Sequence, residues 1–208
     1  MNRLPTTRHS LLLRLADAGD DVAWNEFLEV YERAIFRFAC SRGLQPADAE
    51  DVTQRVLAAV MHKMRAWKAD SNRGSFGAWL FRVTRNLAAK TWNDRVKQPV
   101  QIGEREAAEL YEISELPDAT ESDATLFQSE YRKALFHWAA DRVRKNVKAV
   151  TWDAFWMTAI DQRPASEVAS TLSLSATSVY TAKYRMLARI RTEIEAFESE
   201  FSAPKDGG

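Results

Sequence analysis

The feature that most constrains the fold is a pair of apolar stripes at helical spacing, separated by a short polar loop, within residues 43–97. The first stripe recurs every three to four residues: Val52, Val56, Val60, Met64 and Trp67. The second does the same: Phe76, Trp79, Leu80, Val83 and Leu87. Residues 69–74, between them, are turn-forming. The pattern predicts two amphipathic helices joined by a loop, with Asp48 and Ser75 as their N-caps.

The opposite faces of these two helices differ in chemistry. The first presents acidic, amide and basic groups, including Asp51, Gln54 and Arg55. The second presents basic and amide groups with little acid among them: Arg82, Asn86, Ala89, Lys90 and Asn93. Both faces are predicted to be exposed, to solvent or to a partner.

Helical spacing continues on both sides of this unit, and no strand-like alternation or internal repeat interrupts it. We therefore predict an all-α fold of two small helical domains joined by an acidic flexible linker. The first domain spans residues 1–97, the linker 98–122 and the second domain 123–201, followed by a disordered tail at 202–208. The last helix is expected to run from Ala176 to Arg191, and an acidic segment from Glu193 to Glu200 is expected to extend it and then fray as a solvated end.

Charge is strongly segregated along the chain, although the formal net charge is zero. Residues 61–100 hold nine basic residues against two acidic ones, and residues 131–191 hold eleven against four. Between them, residues 101–130 hold nine acidic residues against one basic. A single charged block is usually only a solvated face, but two basic modules around an acidic connector suggest two nucleic-acid contacts.

The second domain contains a predicted helix-turn-helix. Pro164 suits a helix start, residues 165–172 form a short helix, and residues 173–175 form a tight turn before a longer helix. In that second helix Val179, Met186 and Ile190 fall on one side and predict the core. Such a helix enters the DNA major groove, although an exposed helix of a plain bundle shows similar polar faces. Tyr180 either packs against a thymine methyl or covers the edge of the core.

Several classes of protein are excluded by what the sequence lacks. It has no phosphate-binding loop, dinucleotide fingerprint or His/carboxylate cluster at metal-ligand spacing, so no catalytic residue, metal or cofactor is predicted. One cysteine, Cys40, excludes an internal disulfide framework. No apolar run approaches the ~20 residues of a membrane span, and no signal-peptide pattern appears. We expect a cytoplasmic protein that is not an enzyme and does not insert into membranes.

Two stretches together resemble one known family. Residues 43–54, GLQPADAEDVTQ, and residues 73–87, RGSFGAWLFRVTRNL, are similar to the core-binding and promoter-melting domain of bacterial sigma factors of the extracytoplasmic-function (ECF) group. Residues 152–191 resemble the domain of the same family that reads the upstream promoter element. One departure is that Tyr180, Ala182 and Leu187 stand where the family often has basic residues, which weakens the expected attraction to phosphate.

The resemblance implies partners and site residues. It implies core RNA polymerase as a partner, docked through its β-prime clamp helices, together with promoter DNA in the bacterial nucleoid and, as in many members, an anti-sigma factor. The implied core-polymerase-binding residues are Asp48, Asp51, Gln54 and Arg55. Those implied for the −10 element are Asn72, Arg73, Arg82, Asn86 and Lys90. Those implied for the −35 element are Thr177, Ser178, Tyr180, Thr181, Tyr184 and Arg185.

Other interpretations of the sequence remain open at this level. A conventional helix-turn-helix regulator would bind duplex DNA alone, usually as a dimer at a palindromic site, whereas a sigma factor needs the polymerase. A helical protein-interaction module would leave the two basic modules unexplained. The acidic linker either mimics RNA in a polymerase channel, as the resemblance implies, or is an ordinary solvated connector.

Overall fold

The structure is a computed structural model that describes residues 9–17, 19–65, 76–97 and 121–198. All regular structure in these ranges is helical, which confirms the predicted all-α class. The helices are α1 (His9–Leu15), α2 (Asp21–Ser41), α3 (Pro46–Arg65), α4 (Phe76–Lys97), α5 (Glu121–Arg144), α6 (Ala149–Ala159), α7 (Ala165–Leu172) and α8 (Ala176–Glu198).

Contacts divide the described residues into two compact units, one that ends at residue 134 and one from residue 135 to residue 198. The division falls inside α5, whereas the sequence suggested a boundary at residue 122. Apolar periodicity runs through α5 without a break, so nothing in its pattern marks where its packing partners change. Residues 98–120 of the predicted linker lie outside the described residues, and the predicted domain limits stay predictions.

The first unit is built around aromatic residues of α2. Phe27, Tyr31 and Phe38 are fully buried. The ring of Phe38 lies 6.1 Å from that of Phe81 on α4 and 5.4 Å from that of Phe127 on α5, both in edge-on geometry. Such pairs contribute beyond their burial of apolar area. This core fixes the positions of α3 and α4, whose outer faces carry the predicted sites.

The start of α2 is set by its local sequence. Asp20 caps α2, because its Oδ1 accepts a hydrogen bond from the Ala23 amide at 2.9 Å. The Arg14 guanidinium donates to Asp20 at 2.7 Å and 2.8 Å, and this lowers the pKa of the Asp20 carboxyl.

Helix α3 begins earlier than a cap at Asp48 would require. Pro46 occupies its first position and Asp48 lies inside the first turn, so the prediction that Asp48 is the N-cap is wrong. A carboxylate in the first turn still interacts favourably with the helix dipole. Gly43, which precedes this helix, has a φ of 90° that few other residues tolerate.

The second unit contains the predicted helix-turn-helix segments. Helix α7 ends at Leu172; the capping residue Ser173 adopts a left-handed φ of 53°, and the Leu174 amide donates to the Ala169 carbonyl at 2.9 Å. Ser175 Oγ then accepts from the Ser178 amide at 3.1 Å at the start of α8. A small apolar cluster holds the two helices and α6 together: Ala154, Val168, Ala169, Val179 and Ala182.

Helix α8 extends through the acidic segment as predicted and ends at Glu198. Phe197 is only 1% exposed, and its ring lies 4.9 Å from that of Trp138 on α5. The interpretation of this segment as a solvated end is therefore wrong for Phe197. The surrounding glutamates gave the segment a polar composition that concealed its one buried anchor.

Candidate functional site

The outer face of α3 carries the four residues predicted to bind core polymerase. Asp51 and Gln54 are exposed, while Asp48 and Arg55 are partly buried. Arg55 Nη1 lies 3.7 Å from Asp51 Oδ2, one helical turn away, and the Asp51 side chain remains 62% exposed. An exposed pair of this kind contributes little to stability. Breaking it so that Asp51 and Arg55 can each pair with a charge on a partner therefore costs little free energy.

A groove of about 360 Å³ lies beside this face, between α2 and α3. Its lining joins three carboxylates and an arginine to apolar groups: Leu28, Glu29, Glu32, Arg33, Phe36, Glu50, Thr53 and Gln54. Only Gln54 was predicted as a site residue. The residues on α2 were not predicted, because only the apolar stripe of that helix was used. The helical spacing of Glu29, Glu32 and Arg33 on its polar side is the signal that could have found them.

The outer face of α4 differs from the prediction at one residue. Arg82 is exposed and Lys90 is partly buried, but Asn86 is only 1% exposed. The prediction that Asn86 lies on the exposed face is therefore wrong. Asn86 stands three residues after the buried Val83 and directly before the buried Leu87, so the core reaches further around the helix than the apolar stripe indicated.

Arg85, which was not predicted as a site residue, is held by Asn86. Its Nε and Nη2 atoms donate to Asn86 Oδ1 at 3.0 Å and 2.8 Å. Because this acceptor is a neutral amide, the contact orients the guanidinium without cancelling its positive charge. Asn72 and Arg73, the other predicted −10 residues, lie outside the described residues.

Helix α8 presents all six predicted −35 residues to solvent: Thr177, Ser178, Tyr180, Thr181, Tyr184 and Arg185. Its opposite side buries Val179, Met186 and Ile190, as the spacing predicted. Tyr180 is 53% exposed and Tyr184 is 70% exposed, so Tyr180 does not cover the edge of the core.

The described ranges hold no group of three or more His, Cys, Asp or Glu residues placed to bind a metal ion. Among the helices of these ranges, none combines the length and apolar character that a membrane span requires.

Comparisons with known proteins agree on one family. The sequence profile of the family Sigma-70 region 2 matches residues 27–98. An RNA polymerase sigma-E factor of Streptomyces antibioticus is 25% identical over 177 residues, which cover 85% of this chain and 87% of that protein. The sigma-E factor of Streptomyces avermitilis is 25% identical over 178 residues, covering 86% and 88% of the two chains.

A solved structure of CnrH in complex with the cytosolic domain of CnrY aligns over 90% of this chain and 96% of its own, at 20% identity and a TM-score of 0.35.

The matched segment contains the groove, the outer face of α3 and the basic face of α4. A conventional ligand-responsive regulator is not favoured, because the relatives that align with most of this chain are named as sigma factors. The matching profile and the named relatives together support a bacterial RNA polymerase sigma factor of the ECF type, a transcription initiation factor.

Proposed function

We propose that this sigma factor divides its work between separate surfaces of its two units. The α3 face docks core RNA polymerase, α4 with the loop before it holds the −10 element, and α8 reads the −35 element. The observation that carries the proposal is the sidedness of α8, where six polar or aromatic residues are exposed and the apolar residues are buried. Members of this family bind core polymerase and promoter DNA, and the three surfaces supply a place for each contact.

The docking surface would receive the β-prime clamp helices. Asp48, Asp51, Gln54 and Arg55 would meet charged groups there, and the adjacent groove offers carboxylates from Glu29 and Glu32 with an apolar floor from Phe36. Charge-assisted hydrogen bonds around an apolar patch fix the register of docking as well as its strength.

The −10 contact would combine the basic face of α4 with the loop residues Asn72 and Arg73. Arg82 and Lys90 would follow the backbone of the separated strand, and Arg85 would add a third charge whose direction is set by Asn86. Asn86 itself would act through Arg85, since it is buried. Melting would draw on binding energy within the polymerase complex.

The protein would act through the polymerase and under the control of a further partner. The chain would have no catalysis of its own, since sigma factors direct the polymerase, which is the enzyme. It would act in the cytoplasm at the nucleoid, and an anti-sigma factor is a further partner that the family resemblance implies.

Run-off transcription tests the proposal. Purified bacterial core polymerase is supplied with a genomic promoter library, with and without this protein. Discrete transcripts should appear with the wild type and disappear with Asp51→Arg, which reverses a charge on the docking face. Asp141→Arg makes the same change at an exposed α5 position without an assigned role, and should leave the transcripts intact. Tight duplex binding by the protein alone, without transcripts, would contradict the proposal.

A further inference from the structure

The exposed face of α8 is short of the groups that usually read bases. From Ala176 to Tyr184 the exposed residues are alanine, threonine, serine and tyrosine, and Lys183 is partly buried in this fully described stretch. The first exposed charge is Arg185, in the third turn. In a recognition helix the N-terminal residues contact the base edges, so readout here falls to hydroxyl and aromatic groups.

Two of the hydroxyl groups on this face, those of Thr181 and Ser178, already make local hydrogen bonds. Thr181 Oγ1 donates its hydrogen to the Thr177 carbonyl at 2.8 Å. Ser178 Oγ shares a hydrogen bond of 2.8 Å with Ser175 Oγ. The Thr181 hydroxyl, whose hydrogen is committed to that carbonyl, has none to donate to guanine O6 or N7. The Thr181 side chain therefore offers its methyl group as its main unoccupied surface.

The largest exposed apolar groups on this face are the two rings of Tyr180 and Tyr184. Tyr180 and Tyr184 are four residues apart, so their rings project from adjacent turns of the same face. Both are more than half exposed, unlike the other tyrosines of the described ranges, Tyr31 and Tyr131, which are fully buried. In the major groove, apolar groups contact the C5 methyl of thymine, which cytosine lacks.

We propose that Tyr180 and Tyr184 are specificity-determining residues that read thymine C5 methyl groups in the upstream promoter element. This inference rests on the proposed function of α8 and adds the chemical feature that is read. Thymine methyls supply an apolar surface at defined positions, and the two rings with the Thr181 methyl supply the matching one.

The test removes the methyl group from DNA without changing base pairing. On a promoter found by run-off transcription, each thymine of the upstream element is replaced singly by deoxyuridine. Binding of the reconstituted polymerase holoenzyme is then measured. Burying one methyl(ene) group corresponds to about a fourfold change in affinity, so contacted positions should lose about fourfold. Replacing a contacted thymine by 5-methylcytosine should retain more affinity than replacing it by cytosine.

Variants of the tyrosines locate the contact. Tyr180→Ala and Tyr184→Ala should each lose the discrimination between thymine and deoxyuridine at one position, while Tyr→Phe variants should keep it because the ring is preserved. Equal loss by the Phe and Ala variants would overturn the inference, since the phenol hydroxyl would then be the reading group. Indifference of every deoxyuridine template, with transcription intact, would overturn it and leave the proposed function standing. Absence of promoter-directed transcription on unmodified DNA would overturn both.

Discussion

At the scale of single residues, the sequence predicted the exposed face of α8 correctly but misplaced Asn86 on α4. The difference lies in the width of the buried side. Helix α8 buries a narrow stripe that counting along the chain locates well, whereas α4 buries residues around most of its surface. The spacing of apolar residues shows which side of a helix faces the core, but not how far around the helix the buried side extends. Asn86 lies at the edge of the buried side of α4. The Arg85–Asn86 contact depends on side-chain rotamers that no spacing rule contains.

Replacing Asn86 by alanine should destabilise the first unit. The change removes two hydrogen bonds from a charged donor, and such bonds contribute about 1.5–3 kcal/mol to stability. We expect the free energy of unfolding in urea to fall by about that amount. Asn93→Ala, at an exposed position of the same helix, should change it by less than about 0.5 kcal/mol. Equal effects of the two substitutions would show that the Arg85 contact does not contribute.

The ion pair at the start of α2 should make stability depend on pH. The folded pKa of Asp20 lies below its ordinary value of 3.8, so its contribution is present above that value and is lost as pH falls through the folded pKa. Asp20→Asn keeps a good cap but removes the charge that Arg14 binds. The melting temperature of the wild type should exceed that of the variant at neutral pH, and the difference should shrink as the pH falls below 3.8 and through the folded pKa. A difference independent of pH would contradict this account.

At the scale of elements, most helices could be predicted because each has a clear apolar stripe and a recognisable start or stop. The short helix at residues 165–172 was predicted with the bounds that the structure gives, since Pro164 and the following turn delimit it. The burial of Phe197 in the C-terminal extension of α8 was not predicted, because a single phenylalanine among glutamates forms no stripe. Phe197 is buried by its contact with Trp138, and a contact between residues so far apart in sequence cannot be inferred from local spacing.

Truncating Phe197 tests whether this extension is part of the folded unit. Phe197→Ala removes a buried ring, and such changes typically cost about 3–5 kcal/mol. Urea denaturation should show a loss of that size. Glu195→Ala, two residues earlier and exposed, should be within about 0.5 kcal/mol of the wild type. A similarly small effect at Phe197 would mean that the end of α8 is not packed in solution.

At the scale of the whole molecule, the segregation of charge along the sequence is the basis of the prediction of two nucleic-acid contacts. The structure assigns the exposed Arg82 to the first unit and Arg185 to the second. The contact-based division lies within α5, whose residues on either side of it pack in different units. Its aromatic contacts on either side of the division become visible only in three dimensions.

The salt dependence of promoter binding should report how many basic residues contact phosphate. Each phosphate contact to a single strand contributes about 0.7 to the slope of log affinity against log salt concentration. Arg82→Ala should therefore lower the slope for holoenzyme binding to a melted promoter by about 0.7. Arg37→Ala, an exposed arginine on α2 without an assigned role, should leave the slope unchanged. Equal slopes for all three proteins would remove Arg82 from the DNA interface.

The central claim is that polymerase docking and upstream promoter reading occupy separate surfaces, one in each unit. The most direct test measures core polymerase binding and promoter-directed transcription side by side for wild type, Asp51→Arg and Arg185→Ala. We predict that Asp51→Arg loses core binding and therefore transcription. Arg185→Ala should bind core polymerase as the wild type does but lose transcription from promoters that depend on the upstream element. Loss of core binding by Arg185→Ala, or full core binding by Asp51→Arg, would contradict this division of labour.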